Sequence, residues 1–296
     1  MIGSMERVES QVQIIANRLF GATSVTSSVC NAGVKSDGAL ALADLAEGLA
    51  RWRLWGLLAW QDIKQRYRRS SLGPFWLTIS MGVMIGTLGV LYGKLFKMEI
   101  QEYLPFLCLG FLTWIFISTS ITEGCTVFIT SESIIKQIKL PLSSHVYRLV
   151  WRNLIILGHN FVVFVVVALV FRVWPGQSGL LVIPGLLVIA LNVTWIALLL
   201  GIISSRFRDV PLIVASLVQV VFFLTPILWK PSLLGRRVGF VDMNPFYHLI
   251  EIVRMPLLGH SPTFLSWIAA LVIAAIGWST TFLLFSRFRK RIAYWL

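Results

Sequence analysis

Three ionisable side chains, His248, Glu251 and Arg254, recur at intervals of three residues after an Asn244-Pro245 turn. Residues three apart share one face of a helix, so a carboxylate and a guanidinium at that spacing can form an ion pair. A local ion pair is one interpretation of this cluster. A polar lining near the gate of a transport pathway is the other, and it depends on the elements around the cluster.

The sequence contains no persuasive catalytic or nucleotide-binding constellation. The nearest approach to a phosphate-binding loop is Gly93-Lys94, but Leu88 stands where the first glycine should be and Leu95 replaces the hydroxyl residue. The four histidines lie in separate segments without metal-ligand spacing. We therefore expect no metal, no bound cofactor and no enzyme activity in this chain. The carboxylates that a membrane-embedded transferase would have to cluster are scattered: Glu123, Asp209, Asp242 and Glu251.

The composition is typical of a membrane protein. Hydrophobic residues make up 57% of the 296 residues, charged residues 13%, and the mean hydropathy is +0.80. A soluble domain needs more charge than this to cover its surface. The net charge of +13 suggests nucleic-acid binding at first, but Lys and Arg avoid the long apolar runs and gather between them. Nucleic acid is therefore excluded as a partner.

Six apolar stretches qualify as spanning helices, each of which needs about 20 residues to cross ~30 Å of hydrocarbon. The fifth contains Gln219 and Pro226, so a break near its far end is expected. Glu123, near the inner end of the second, either faces an aqueous cavity or lies shallow enough to stay wet. The predicted fold is an all-α membrane protein. Its spans are Phe75–Phe96, Leu104–Cys125, Leu154–Phe171, Leu180–Ile203, Val210–Trp229 and Phe264–Phe285.

The distribution of basic residues predicts the orientation in the membrane. With the N-terminus inside, 19 of the 26 Lys and Arg fall in inner segments and seven in outer ones. Inner loops of membrane proteins carry such an excess. An even number of spans then returns the C-terminus to the cytoplasm. The sequence thus predicts a multi-pass protein of the inner (plasma) membrane with both termini cytoplasmic.

The parts outside the spans have distinct patterns. Residues 1–45 look like a flexible cytoplasmic tail, because Gly21 to Gly38 is rich in small polar residues. Residues 46–74 predict an amphipathic helix rich in Trp and Arg, followed by a turn, and such a helix lies in the membrane interface. Residues 75–296 form the spanning domain. Within it, 230–262 is the longest external segment, and its short apolar pieces predict re-entrant helices.

The inner segment after the second span predicts a short helix outside the bilayer, within residues 131–141. Ser131 or Ser133 is expected to cap it and Pro141 to end it. Ile134, Ile135 and Ile138 give it an apolar side. A simple connector between spans is one interpretation, and a docking element for a soluble motor protein is the other.

Three stretches in this order resemble the permease subunits of polysaccharide ABC exporters, the type-2 ABC exporter group that includes O-antigen and capsule exporters. Residues Trp60 to Trp76 are similar to that family's basic interfacial helix, which runs through a Leu-Gly turn into the first span. Residues Ser133 to Pro141 are similar to its coupling segment, and Asn244 to Arg254 to its signature between the last two spans. The resemblance covers about Leu45 to the C-terminus.

The resemblance implies a homodimer of this chain with two copies of an ABC ATPase, which would bind ATP and Mg²⁺. It also implies a lipid-linked polysaccharide as cargo, attached to undecaprenyl diphosphate. The ATPase-docking residues would be Glu132, Ile134, Ile135, Lys136, Lys139 and Pro141. The residues at the membrane interface, facing the lipid diphosphate, would be Trp60, Arg66, Tyr67, Arg68 and Arg69. The channel and gate residues would be Tyr92, Phe96, Tyr103, Trp114, Asn244, Pro245, His248, Glu251 and Arg254.

Other interpretations stay open at this point. The interfacial arginines also fit simple anchoring at the cytoplasmic surface. Within the same superfamily the cargo can be a teichoic-acid polymer, a drug or a lipid. A membrane-embedded glycosyl- or acyltransferase is an alternative of another class, which the scattered carboxylates do not favour. A passive scaffold or channel without an ATPase is a further alternative, and it leaves the coupling-like segment unexplained.

Overall fold

The computed structural model describes residues 36–67, 75–233 and 239–296. The regular elements in these ranges are all helices, which confirms the predicted all-α class. Arg68, Arg69 and the side chain of Tyr67 lie outside the described residues, as do residues 1–35. The helices are α1 Asp37–Ala50, α2 Trp52–Tyr67, α3 Phe75–Leu95, α4 Ile100–Thr130, α5 Glu132–Gln137, α6 Ser143–Phe171, α7 Val182–Arg206, α8 Val210–Leu224, α9 Gly239–Asp242, α10 Pro245–Leu257 and α11 Phe264–Trp295. A 3₁₀ helix, Gly176–Leu181, leads into α7.

Five helical segments within the described ranges are long and apolar enough to cross a membrane: α3, α4, α6, α11 and the 3₁₀ helix continued by α7. The predicted fifth span is a shorter helix, α8, which ends at Leu224 after 15 residues. At 1.5 Å per residue it is ~22 Å long, less than the ~30 Å of hydrocarbon. The chain is therefore a multi-pass membrane protein, and the count of six spans stays a prediction.

Helix α4 is the centre of the fold. It is apolar on all sides, so it can be surrounded by other helices, and it packs against α3, α6, α7, α8 and α10. Small residues let α4 and α7 approach closely: a Cβ atom added to Gly124 would lie 2.7 Å from Ala197 Cα. Without a hydrophobic driving force between helices in lipid, such close backbone contacts stabilise helix pairs through van der Waals packing.

The ordered fold begins earlier than the sequence predicts. Residues 37–45 were expected to belong to the flexible tail, but they form most of α1, so that boundary was wrong. Asp44 on α1 is buried and accepts hydrogen bonds from the main-chain N–H groups of Leu142 and Ser143 at the start of α6. These tertiary contacts stabilise a helix whose composition alone predicts a tail.

Helix α2 crosses α6 rather than running along it. The Trp55 ring contacts the rings of Tyr147 and Trp151, with centroids 6.1 and 6.0 Å apart. Asp62, about 10 Å further along α2, pairs with Arg148 on the same two turns of α6. The interfacial position of α2 stays a prediction.

The close approach of α4 and α7 makes a first prediction. Gly124→Leu should lower the free energy of unfolding by about 1–3 kcal/mol, because the new side chain overlaps Ala197. Thermal unfolding of the purified protein in detergent measures the change.

The matched control is Gly86→Leu on α3, where an added Cβ meets no described atom within 4 Å. It should leave the melting temperature nearly unchanged. Equal effects of the two substitutions would show that the packing of α4 on α7 is not tight.

Candidate functional site

The segment after α8 leaves the helical conformation inside the protein. Thr225, Pro226, Ile227 and Leu228 are buried and non-helical, so their carbonyl groups need donors other than a helix. Side chains supply three contacts to this segment. Arg254 Nη1 donates to Pro226 O (2.8 Å), Tyr103 Oη donates to Leu228 O (2.5 Å), and Asn244 Nδ2 donates to Thr225 Oγ1 (3.0 Å).

Arg254 is the centre of this arrangement, and its side chain has no exposed surface. It forms an ion pair with Glu251, as the spacing of the two residues predicts. The guanidinium carbon lies 3.8 Å from the centroid of the Phe106 ring, a cation–π distance at which a buried Arg is stabilised. Within the described part of the chain Arg254 Nε has no hydrogen-bond partner. The group is thus held on three sides by Pro226, Glu251 and Phe106.

The remaining predicted gate residues position α10. Asn244 Oδ1 accepts a hydrogen bond from Phe246 N (2.9 Å), and Pro245 occupies the first turn of α10, so the predicted turn is present. His248 is buried between α9 and α11. Its Nε2 lies 2.8 Å from Asp242 O and its Nδ1 3.0 Å from Ser266 Oγ. Because a carbonyl only accepts, Nε2 carries the proton and Nδ1 accepts from the hydroxyl.

The predicted channel aromatics divide into two groups. Tyr92 and Trp114 border a cavity of about 520 Å³ between α3, α4 and α8, which Gln219 also lines. The Phe96 ring stacks on Tyr92, with centroids 5.6 Å apart. Tyr103 is fully buried and packs between elements. A channel-lining role stays a prediction for Tyr92, Phe96, Tyr103 and Trp114.

At the opposite end of α4, the predicted short helix is present as α5. The helix has six residues, and within this described segment none is buried. Lys136 Nζ lies 2.6 Å from the Glu132 carboxylate, and this hydrogen bond lowers the pKa of Glu132. Ile138 follows the helix in extended conformation, with 54% of its surface exposed. Its apolar side chain is therefore available to a partner.

The details of α5 differ from the prediction at both ends. The Ser131 side chain forms no capping hydrogen bond, and Ser133 lies inside the helix. The helix ends at Gln137, before the buried Pro141 restricts the chain. Ile135 packs against the core, Ile134 borders a polar cavity, and Lys139 is exposed. A helix this short gains little from its own caps, so its two neighbouring helices fix its position.

An ion-pair network beside α5 was missed by sequence reasoning. Arg148 pairs with Asp62 through Nε and Oδ2 (2.7 Å), and Arg152 pairs with both Asp62 (3.7 Å) and Glu123. Arg66 Nη2 lies 3.3 Å from Glu123. These five residues join α2, α4 and α6 around a cavity of about 370 Å³. Glu123 thus borders a cavity and has arginine partners that were not foreseen, while its depth in the membrane stays a prediction.

The signal for the network was present but weak. Arg148 and Arg152 are four apart on one face of α6, and Asp62 interrupts the apolar side of α2. The three helices are far apart in sequence, so only the tertiary structure brings the charges together. Trp60 on the same helix as Asp62 is half exposed, and Lys64 Nζ lies 5.8 Å from the centroid of its ring.

The long apolar helices make the chain a multi-pass membrane protein. The family model described as ABC-2 type transporter matches residues 53–258. The chain belongs to this family. It is thus the permease subunit of a type-2 ABC exporter, a transport subunit that is not itself catalytic, and its family implies an ABC ATPase partner.

Two curated relatives are similar over most of their length. The O-antigen export system permease protein RfbA of Myxococcus xanthus is 25% identical over 197 residues, which cover 65% of this chain and 75% of that protein. A protein of the same name from Klebsiella pneumoniae is 22% identical over 243 residues, which cover 79% of this chain and 91% of that protein. Helix α1 lies outside the range that the family model matches.

The burial of Arg254 makes a second prediction. Arg254→Gln should lower the free energy of unfolding by about 3–5 kcal/mol, because it leaves the Glu251 carboxylate buried without a counter-charge. The double variant Glu251→Gln/Arg254→Gln should be less damaged, since it carries no unpaired charge. Unfolding in detergent, followed by circular dichroism, measures both.

Arg51→Gln is the matched control. Arg51 pairs with Glu47, both side chains are exposed, and exposed pairs contribute about 0–1 kcal/mol. If the double variant were as unstable as Arg254→Gln, an unpaired carboxylate would not be the cause of the lower free energy of unfolding.

Proposed function

We propose that the chain is the membrane subunit of an ATP-driven exporter that moves a lipid-linked polysaccharide out of the cytoplasm. The observation that carries this proposal is the likeness to O-antigen export permeases, which extends over 91% of the length of one relative. Undecaprenyl diphosphate is the proposed lipid carrier. The glycan would be of the O-antigen or capsule type.

The proposed channel lies between two copies of the chain. Helix α8 is the least enclosed of the apolar helices, because within the described residues it has no buried side chain. Its exposed face includes Leu217 and Val220 together with Gln219. A glutamine in an apolar helix needs a polar partner or a water-filled pathway. A second copy that closes the cavity beside Tyr92 and Trp114 would provide that pathway.

The energy source is proposed to be a pair of ABC ATPase subunits docked at α5, with ATP and Mg²⁺ bound by those subunits. The Gly93-Lys94 stretch lies at the end of α3, away from any strand-to-helix turn, so it lacks the context of a phosphate-binding loop. The unburied surface of α5 together with Ile138 offers both an apolar side chain and charges to a partner. The expected docking residues are Glu132, Ile134, Ile135, Lys136, Lys139 and Pro141.

The basic end of the bundle is proposed to face the cytoplasm, with both termini on that side of the inner membrane. Arg66 is half exposed at the crossing of α2 and α6 and makes only a 3.3 Å contact with Glu123. A diphosphate would form stronger, charge-assisted hydrogen bonds with this guanidinium. Arg66 is therefore the described residue best placed to meet the lipid diphosphate, alongside Arg68 and Arg69 of the same basic run.

The docking role makes a third prediction. Ile138→Asp combined with Lys139→Glu should abolish co-purification of the ATPase, because it places two negative charges on the exposed segment. Affinity purification from native membranes in mild detergent, with quantification of the ATPase by mass spectrometry, provides the measurement.

Lys94→Glu, at the far end of α3 and exposed, is the control and should retain the ATPase. Full ATPase recovery with the docking variant would refute docking at α5. Absence of any ATPase from the wild-type preparation would refute the exporter proposal and favour a passive channel or a transferase.

The cargo proposal makes a fourth prediction. Cells depleted of this chain should accumulate undecaprenyl-diphosphate-linked glycan on the inner leaflet and lose the glycan from their surface. Lipid extraction with mass spectrometry and surface labelling of the glycan measure the two effects. A loss confined to teichoic-acid polymers, or to drug resistance, would instead assign the chain to another cargo class of the same family.

A further inference from the structure

Asp44 on α1 is a buried carboxylate with an unusual set of partners. Its oxygens accept hydrogen bonds from Leu142 N (3.2 Å), Ser143 N (3.0 Å) and the Ser143 hydroxyl (2.9 Å). Its counter-charge is Arg289 near the end of α11, whose Nε lies 2.8 Å away. The side chain of Asp44 has no exposed surface. One residue therefore joins the start of α6 to the end of α11.

The backbone of α1 is shaped for this contact. A Cβ added to Gly48 would lie 2.1 Å from Ser143 Oγ, so only glycine lets α1 approach α6 this closely. Tyr147 Oη donates to Leu45 O over 3.3 Å on the next turn of α6. A second ion pair joins α1 to α11, between Asp37 and Lys290 (2.7 Å), but both of its side chains are exposed.

The function of Asp44 follows from its position beside α5. Leu142 and Ser143 stand at the end of the segment that begins with α5. Within that segment α5 has no buried residue, although it contacts α11 and its Ile135 packs against the core. Its position therefore also depends on what holds its two ends. Helix α4 holds one end within the core. Asp44 holds the other end, because its carboxylate accepts hydrogen bonds from the main-chain N–H groups at the start of α6.

We propose that Asp44 is a positioning residue for ATPase docking, and that α1 and the end of α11 form a brace for the α5 segment. The inference rests on the proposed docking at α5. Helices α1 and α11 both lie outside the range 53–258 that the family model matches. Through the ion pair of Asp44 with Arg289, the brace also links the α5 segment to the last span, α11, by direct contacts.

The test compares a buried pair with an exposed pair on the same two helices. Asp44→Asn and Arg289→Gln should each weaken binding of the ATPase recovered with the wild-type chain by about fivefold or more. Arg289→Lys, which keeps the positive charge, should restore most of the affinity. Asp37→Asn and Lys290→Gln should change it by less than about twofold, since exposed pairs contribute little.

Each dissociation constant is measured by titrating the purified ATPase onto the folded, monodisperse chain in nanodiscs. Differences in the amount of folded protein then do not affect the measured affinity. Arg289→Gln leaves the contacts of Asp44 with the α6 backbone in place, so it is the variant to measure if Asp44→Asn does not fold. Wild-type affinity in both variants would overturn the positioning role while leaving docking at α5 intact. Failure of the wild-type chain to bind the ATPase would instead overturn the proposed function.

Discussion

The rest of the structure depends on the need to satisfy main-chain polar groups where no water is available. Helix α8 stops at Leu224, and the carbonyls of Pro226 and Leu228 are left inside the protein. Arg254 from α10 and Tyr103 from α4 donate to them. Because the two donors come from different helices, satisfying one short segment fixes the relative positions of α4, α8 and α10. The full burial of an arginine is tolerated because Glu251 and Phe106 compensate its charge.

At the opposite end of the bundle, main-chain donors rather than acceptors need partners. At the start of α6 the unpaired groups are N–H donors, and the carboxylate of Asp44 accepts from two of them. Arg289 then neutralises the carboxylate. Nearby, the pairs of Arg148 and Arg152 with Asp62 and Glu123 join α2 to α4 and α6. At both ends, charged side chains satisfy main-chain groups or join neighbouring helices.

The sequence predicts those parts of this arrangement that are local. The all-α class, the short α5, the turn at Asn244-Pro245 and the pairing of Glu251 with Arg254 follow from hydropathy and spacing within one element. Three features do not. The helicity of residues 37–45 depends on Asp44 reaching α6, the burial of Tyr103 depends on the end of α8, and the network of Asp62 with Arg148 joins residues 86 apart. Each of these needs long-range contacts that no local pattern encodes.

The distribution of charge also bears on the kind of work the chain performs. An enzyme site needs ionisable groups that are free to exchange protons or to meet a substrate. In the described part of the chain, Asp44, Asp62, Glu123 and Glu251 are instead each paired with an arginine. Their charges are used to hold helices in place. Arg66 makes a 3.3 Å contact with Glu123 and stays half exposed, whereas Arg148 and Arg152 are mostly covered. Arg66 is therefore the arginine of this network with the most surface left for another partner.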